Sequence, residues 1–206
     1  DIEGHALIRL HVETGEEKVW EMGERIGTVV PRESGGFLCA GDSGIFSFDP
    51  NTCEKKNLAD PEGDKRPDNR FNDGKCDPQG RFWAGTMRTD NHMEQFTGAL
   101  YSLEQQGGII TRLGPQIGVS NGIAWSADSR FMYFIDSPTR QIFKFDYEPI
   151  TGEIGNRQIV FEAPEGLGFP DGMAIDSDDH LWVAFWGGGC VAKIDPSDGS
   201  IHERVI

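Results

Sequence analysis

The sequence predicts an all-β propeller on three observations: a strand-and-turn layout that recurs along the chain, an irregular period in the forties, and abundant glycine with little helical periodicity. Glycine supplies 27 of the 206 residues, and 11 prolines are dispersed among them, so turns must be frequent and strands short. The recurring layout is a strand, a polar turn, a second strand, a small-residue loop, a third strand, and then an Asp-Pro or Thr-Gly turn. It appears in SGGFLCAGDSGIFSFDPNT, in QGRFWAGTM continuing to GALYSLEQQG, in SRFMYFIDSPTRQIFKFDYEPITGE and in DHLWVAFWGGGCVAKIDPSDGS. Anchored on the residue that ends the third strand, these units place His11, Asp49, Glu104, Asp146 and Asp195 in register, with spacings of 38, 55, 42 and 49. A propeller blade is a four-stranded antiparallel sheet of about 40–50 residues, whereas solenoid units repeat more tightly. Within strands, Ile142, Phe143 and Phe145 surround Lys144, and Val191 and Ile194 flank Lys193, the alternation of a partly buried pleat. The Phe and Trp residues are assigned to packing between blades.

Composition narrows the function. A chain that is 37% hydrophobic and 26% charged belongs with ordinary globular domains. Its apolar runs, such as 131–135 or 181–186, fall far short of the roughly 18–20 residues that span a bilayer. Residues 1–4 carry neither the basic nor the apolar region of a secretory signal. A net charge of −15 disfavours nucleic acid and anionic membranes, which are bound through clustered Lys and Arg, and favours cations. Cys39, Cys53, Cys76 and Cys190 form no C-x-x-C pair, and they read as reduced thiols of a cytoplasmic protein.

Each unit also carries an inner strand marked by a polar residue and a glycine: DGKCDPQGR from Asp73, NGIAWSADS from Asn121, and DGMAIDSDD from Asp171. In isolation an Asn-Gly or Asp-Gly is most simply a tight turn. Three in repeat register point instead to a shared site, because inner strands of a propeller line a central channel. Asp73, Asn121 and Asp171 are therefore expected to converge at one mouth of it. Their carboxylate and amide oxygens suit calcium or magnesium, with zinc or manganese as alternatives. The first unit, around Gly27 and Thr28, has no carboxylate at the matching place. His5, His11, His92, His180 and His202 lie in turn-like or strand-edge settings with no nucleophile motif nearby, which argues against Ser-His-Asp chemistry.

Several segments, in order, resemble the regucalcin, senescence marker protein and gluconolactonase family. They are RFNDGKCDPQGRFWAGTM (70–87), GALYSL (98–103), SNGIAWS (120–126), YFIDS (133–137) and FPDGMAID (169–176), with DIEG at the start and LWVAFWGGG near the end. The resemblance covers nearly the whole chain. It implies a six-bladed propeller of which residues 1–206, a single domain, form a stretch of about four to five blades. On that expectation the N-terminal strands and the last blade or more belong to a longer protein. The resemblance further implies metal ligation by Asn121 and Asp171, substrate contacts from Arg70 and Asn72 with Asp73 close by, and a substrate-recognising carboxylate at Asp90, where the family usually has Glu. A third protein ligand in the family is a Glu in a segment upstream of the DIEG-like strand, and neither Glu62 nor Glu165 stands in the right context to replace it.

The function so implied is metal-dependent hydrolysis of a sugar lactone to the aldonic acid. One divalent ion, calcium first, would act as Lewis acid, and Asp171 would serve both as ligand and as proton acceptor. Two alternatives use the same ligands: a calcium-binding regulatory propeller without catalysis, and a hydrolase of other lactones or esters. An interaction propeller is disfavoured, since the repeats lack GH and WD signatures.

Overall fold

A computed structural model describes residues 1–63, 68–89, 95–104 and 107–206. Two expectations, for Asp90 and His92, fall outside these residues. The fold is all-β, with a 3-10 turn at Ser137–Thr139 beside its strands.

Among the described residues there are four four-stranded antiparallel meanders and one hairpin. The hairpin pairs β1 (Ala6–Leu10) with β2 (Glu17–Glu21). The first sheet runs β3 (Ile26–Pro31), β4 (Phe37–Gly41), β5 (Gly44–Phe48) and β6 (Lys55–Ala59); the second runs β7 (Asn69–Cys76), β8 (Phe82–Arg88), β9 (Gly98–Leu103) and β10 (Ile109–Ile117). The third runs β11 (Ser120–Trp125), β12 (Phe131–Asp136), β13 (Gln141–Glu148) and β14 (Glu153–Glu162); the fourth runs β15 (Phe169–Ile175), β16 (Leu181–Trp186), β17 (Cys190–Ile194) and β18 (Ile201–Val205). The leading strands β3, β7, β11 and β15 lie side by side, so the sheets fan out radially from them as propeller blades do.

The expected third-strand anchors sit where β1, β5, β9 and β17 end, but the third sheet needs a correction. Strand β13 continues past Asp146 to Glu148, whose carbonyl accepts the turn N–H of Gly152 at 2.7 Å. The same i+4 contact closes the turns at His11, Asp49 and Asp195, and an i+3 contact closes that at Glu104, so Glu148 is the true equivalent. Asp146 looked equivalent because Phe145-Asp146 copies the Phe48-Asp49 and Ile194-Asp195 strand ends, although the alternation runs on unbroken through Tyr147 and Glu148.

The cores lie between sheets, as the aromatic pattern predicts. Phe71, Phe82 and Tyr101 pack with Leu38 and Ile45 between the first two sheets. Trp83, Trp125 and Tyr147 meet edge-on between the second and third, with ring centroids 5.6–6.3 Å apart. Phe161, Leu181, Val183 and Phe185 fill the space between the third and fourth. Full burial of one such side chain contributes about 1.5–3 kcal/mol, so these interfaces hold neighbouring sheets together. Trp186 departs from the pattern: it is 66% exposed and leans on Phe169.

A polar clamp ties the second sheet to the third. Buried Asp77 accepts Arg81 Nε at 2.7 Å, Tyr147 Oη at 2.8 Å and Trp83 Nε1 at 2.9 Å on one oxygen, and the backbone N–H groups of Gln79 and Arg81 on the other. Burial opposes ionisation of Asp77, but the hydrogen bonds from Arg81, Trp83 and Tyr147 outweigh it and hold its pKa below the ordinary value. A lowered folded pKa stabilises the protein above the unfolded value of about 3.9, and that contribution is lost as pH falls through the folded one. Asp77→Ala strands three side-chain donors, so thermal unfolding at pH 7 is expected to show a loss of about 3–5 kcal/mol. The gap to wild type should narrow as the pH is lowered below 4; a gap independent of pH would contradict the clamp.

Candidate metal and substrate site

The four inner strands share one irregularity. Each breaks register with its neighbour at a bulge: Gly27 in β3, Asn72 and Asp73 in β7, Asn121 and Gly122 in β11, and Asp171 and Gly172 in β15. The Asp-Gly and Asn-Gly pairs are therefore not tight turns, in keeping with the sequence, but neither do they introduce their strands as expected from it. They lie within the strands, where a bulge re-aims side chains.

Bulge register also corrects the alignment of the repeats by one residue. The paired residues Phe71, Ser120 and Pro170 immediately precede Asn72, Asn121 and Asp171, which makes Asn72, rather than Asp73, the equivalent of the other two. Asp73 stands where the other strands have glycine. The Asp73-Gly74 dipeptide resembles Asp171-Gly172 in composition but not in position. The signal that resolves it lies downstream: Asp77, Ser126 and Asp176 each follow the equivalent residue by five.

Glycine permits the convergence. A Cβ on Gly122 would stand 2.5 Å from Met173 Cβ and 2.8 Å from the Asp171 carbonyl, and one on Gly27 would meet the carbonyls of Phe71 and Asn72. Adjacent inner strands thus touch backbone to backbone, which brings their bulges to one cavity of about 830 Å³. Arg70, Asn72, Asp73, Asn121 and Asp171 all line it. Its remaining wall includes Ile2, Met87, Val119, Phe169 and Trp186. Glu62 lies elsewhere, buried between Asn69, Thr86 and Tyr101 of the second sheet.

Hydrogen bonds order the polar side. Arg70 Nη1 donates to Asn72 Oδ1 and to the Phe71 carbonyl, both at 2.9 Å. Asn72 Nδ2 then donates to the Ser120 carbonyl at 2.9 Å and to Asn121 Oδ1 at 3.3 Å. Ser137, the last residue of the YFIDS segment, fixes the next amide. Its only hydroxyl proton goes to the Pro170 carbonyl at 2.6 Å, so its oxygen must accept from Asn121 Nδ2 at 2.8 Å. One Asn121 amide proton is thereby committed to Ser137 and the other is directed at Asp171, while Oδ1 accepts from Asn72. Ser137 is held in turn by the strand end at Asp136, whose buried carboxylate accepts the N–H groups of Gly118 and Val119.

Burial raises the pKa of Asp171, against a hydrogen bond from Asn121, and raises that of Asp73, with the charge of Asp171 adding to it. Burial also lowers the pKa of Arg70, and the charge of Arg25 lowers it further. Lys75, missed from sequence although it follows Asp73-Gly74 directly, crosses from β7 to the Met173 carbonyl of β15 at 2.9 Å. The donor set offers oxygen alone, from one or two carboxylates and two amides that are costly to bury uncompensated. That is the chemistry of a hard divalent cation, and Asn121 and Asp171 fit one.

Fold and site together define a β-propeller with oxygen donors converging at its channel. The chain belongs to the family described as SMP-30/Gluconolactonase/LRE-like region, whose model matches residues 1–206. It is 38% identical over 205 residues to regucalcin from Danio rerio, covering all of this chain and 68% of that protein. The crystal structure of a calcium-binding protein, regucalcin, from Agrobacterium tumefaciens superimposes with a TM-score of 0.90 at 28% identity, over 98% of this chain and 67% of the other. A gluconolactonase from Xanthomonas campestris shares the fold, with a TM-score of 0.77 at 20% identity over 98% of this chain and 68% of the other. No helix among the described residues is long and apolar enough to cross a membrane.

Two neighbouring glycines separate strand contact from bulge chemistry. Gly122→Ala should lower stability by about 1–3 kcal/mol through overpacking against Met173. Gly172→Ala meets nothing within 4 Å at an ordinary φ and should leave the unfolding midpoint level or slightly higher. Equal losses in denaturant titrations would contradict the close approach of β11 and β15.

Proposed function

We propose that the cavity is the active site of a sugar-lactone hydrolase that uses one divalent cation. The observation carrying this reading is the convergence of Asn72, Asn121 and Asp171 from equivalent positions on three adjacent inner strands, in a family named in part for gluconolactonase. Asn121 and Asp171 would hold the cation. In a six-bladed whole protein, a Glu upstream of these residues would complete the set. Calcium suits such oxygens first, with magnesium, manganese and zinc as alternatives. When bound, the cation supplies Lewis acidity, polarising the lactone carbonyl and making water acidic enough to attack near neutral pH.

The chain's own groups do the rest. Asp171 accepts the proton of the attacking water. Arg70 engages its acceptors through Nη1, which leaves other guanidinium donors for sugar hydroxyls, and its bond to Asn72 fixes which end of that amide is presented. Asp73 accepts from a further hydroxyl; the same role for Asp90, which lies outside the described residues, rests on the family resemblance alone. Water oxygen joins the acyl carbon, the ring ester bond breaks, and the ring oxygen leaves as the new hydroxyl of the aldonic acid. Ser137 acts as a positioning residue through Asn121. A second reading, a calcium binder without catalysis, draws on the description of the Agrobacterium regucalcin as a calcium-binding protein.

Acid release from gluconolactone decides between the two. A chelator should stop it and calcium restore it, while Asp171→Asn and Asn121→Ala should each reduce it by about 100-fold or more. Calcium binding without acid release would favour the second reading, and hydrolysis unaffected by Asp171→Asn would refute the first. Ser137→Ala should weaken calcium binding by about 10–100-fold, with a cost near 1 kcal/mol to the cation-free fold. An equal calcium affinity in titration would remove Ser137 from the positioning role.

A further inference from the structure

At the opposite end of the fourth sheet from the cavity, two turns bring together side chains that the proposed reaction does not use. One turn joins β15 to β16 and carries Asp176 and His180; the other joins β17 to β18 and begins at Asp195, with His202 following on β18. Strand β15 separates this end from Asp171 by roughly 17 Å. His180 Nε2 lies 3.9 Å from Asp195 Oδ2, and His202 Nε2 lies 4.0 Å from the same oxygen. Ligand atoms of all three residues fall within 4.8 Å of one another, and the imidazole centroids are 5.0 Å apart.

The internal repeat shows that this arrangement is a departure. Arg81, Arg130 and His180 are equivalent, each nine residues after the bulge residue of its strand. In the second sheet Arg81 pairs with Asp77 and reaches on to the Pro149 and Ile150 carbonyls of the third. In the fourth sheet the turn is kept: Asp176 accepts the His180 N–H at 2.9 Å and Trp182 Nε1 at 3.0 Å, as Asp77 accepts the Arg81 N–H and Trp83. The cation has been exchanged for an imidazole. Its buried Nδ1 has no hydrogen bond, and it faces Asp176 Oδ1 at 3.6 Å.

We propose that His180, His202 and Asp195 form a second metal site, selective for a borderline divalent ion of the zinc and cobalt class. Two imidazole nitrogens and one carboxylate oxygen favour such ions over calcium. A proton on His180 Nδ1, directed at Asp176, leaves Nε2 as the ligand, the carboxylate-histidine-metal arrangement that fixes ring and tautomer. Asp176 is suited to that orienting role rather than to ligation, because Lys193 Nζ holds its other oxygen at 2.9 Å. Asp195 Oδ1 is committed to the Ser197 N–H at 2.8 Å, and Oδ2 is the atom that faces both imidazoles. Bonds of about 2.0–2.2 Å require these atoms to draw in by about half an ångström, within reach of side chains on two turns and an edge strand.

The test is a titration of metal-free, untagged protein with cobalt(II) in millimolar calcium, read by visible absorption. One equivalent should bind, and it should bind equally in Asn121→Ala and Asp171→Asn. His202→Ala and Asp195→Asn should each weaken binding by at least tenfold, while Glu203→Ala, the next residue on the same edge strand, should not. Circular dichroism of each variant checks that the fold is kept. Absence of cobalt binding, equal binding in His202→Ala, or loss of binding in Asp171→Asn would overturn the proposal. None of these outcomes bears on lactone hydrolysis, which is read separately.

Discussion

The contact on which the rest depends is the backbone-to-backbone approach of adjacent inner strands. Gly27 faces the carbonyls of Phe71 and Asn72, and Gly122 faces Asp171 and Met173, at distances no Cβ would allow. With strands this close, the bulge residues of neighbouring sheets share one space. A wider channel would leave Asn72, Asn121 and Asp171 as three separate polar residues. Close packing also buries their oxygens, which raises the Asp171 and Asp73 pKa values.

A second device repeats around the fold and has been used in two ways. The Asp-centred turn beneath each of the second and fourth sheets captures an indole N–H six residues on. In the second sheet the turn's Arg81 extends to the third sheet and becomes a joint. In the fourth the same position holds His180, among acidic groups and a second imidazole. One local geometry thus carries an inter-sheet joint in the second sheet and an imidazole beside acidic groups in the fourth.

The cavity has two characters. Its polar side is a chain of amides whose orientations are fixed in sequence, from Arg70 through Asn72 to Asn121 and Ser137. Its other side is apolar, with Phe169 and the exposed Trp186 at the rim. The proposed sugar-lactone substrate has hydroxyls at its edge and C–H groups on its face, and the two sides match these in kind.

Composition and periodicity determined the class of fold, because strand alternation and turn residues are local properties that persist in any packing. The convergence of Asp73, Asn121 and Asp171 could be expected from the repeat alone, since residues at equal places in radially stacked units must meet. The one-residue shift to Asn72 shows only in the downstream spacing to Asp77, Ser126 and Asp176, because a bulge is set by pairing with the neighbouring strand and leaves no mark on the dipeptide itself. Glu148 replaced Asp146 for the same reason: strand ends are decided by the partner. Ser137, Lys75 and the meeting of His180 with His202 were also invisible, as each is a contact between residues distant in sequence. Local chemistry named the kinds of side chain this protein would use, and tertiary packing alone decided which of them share a site.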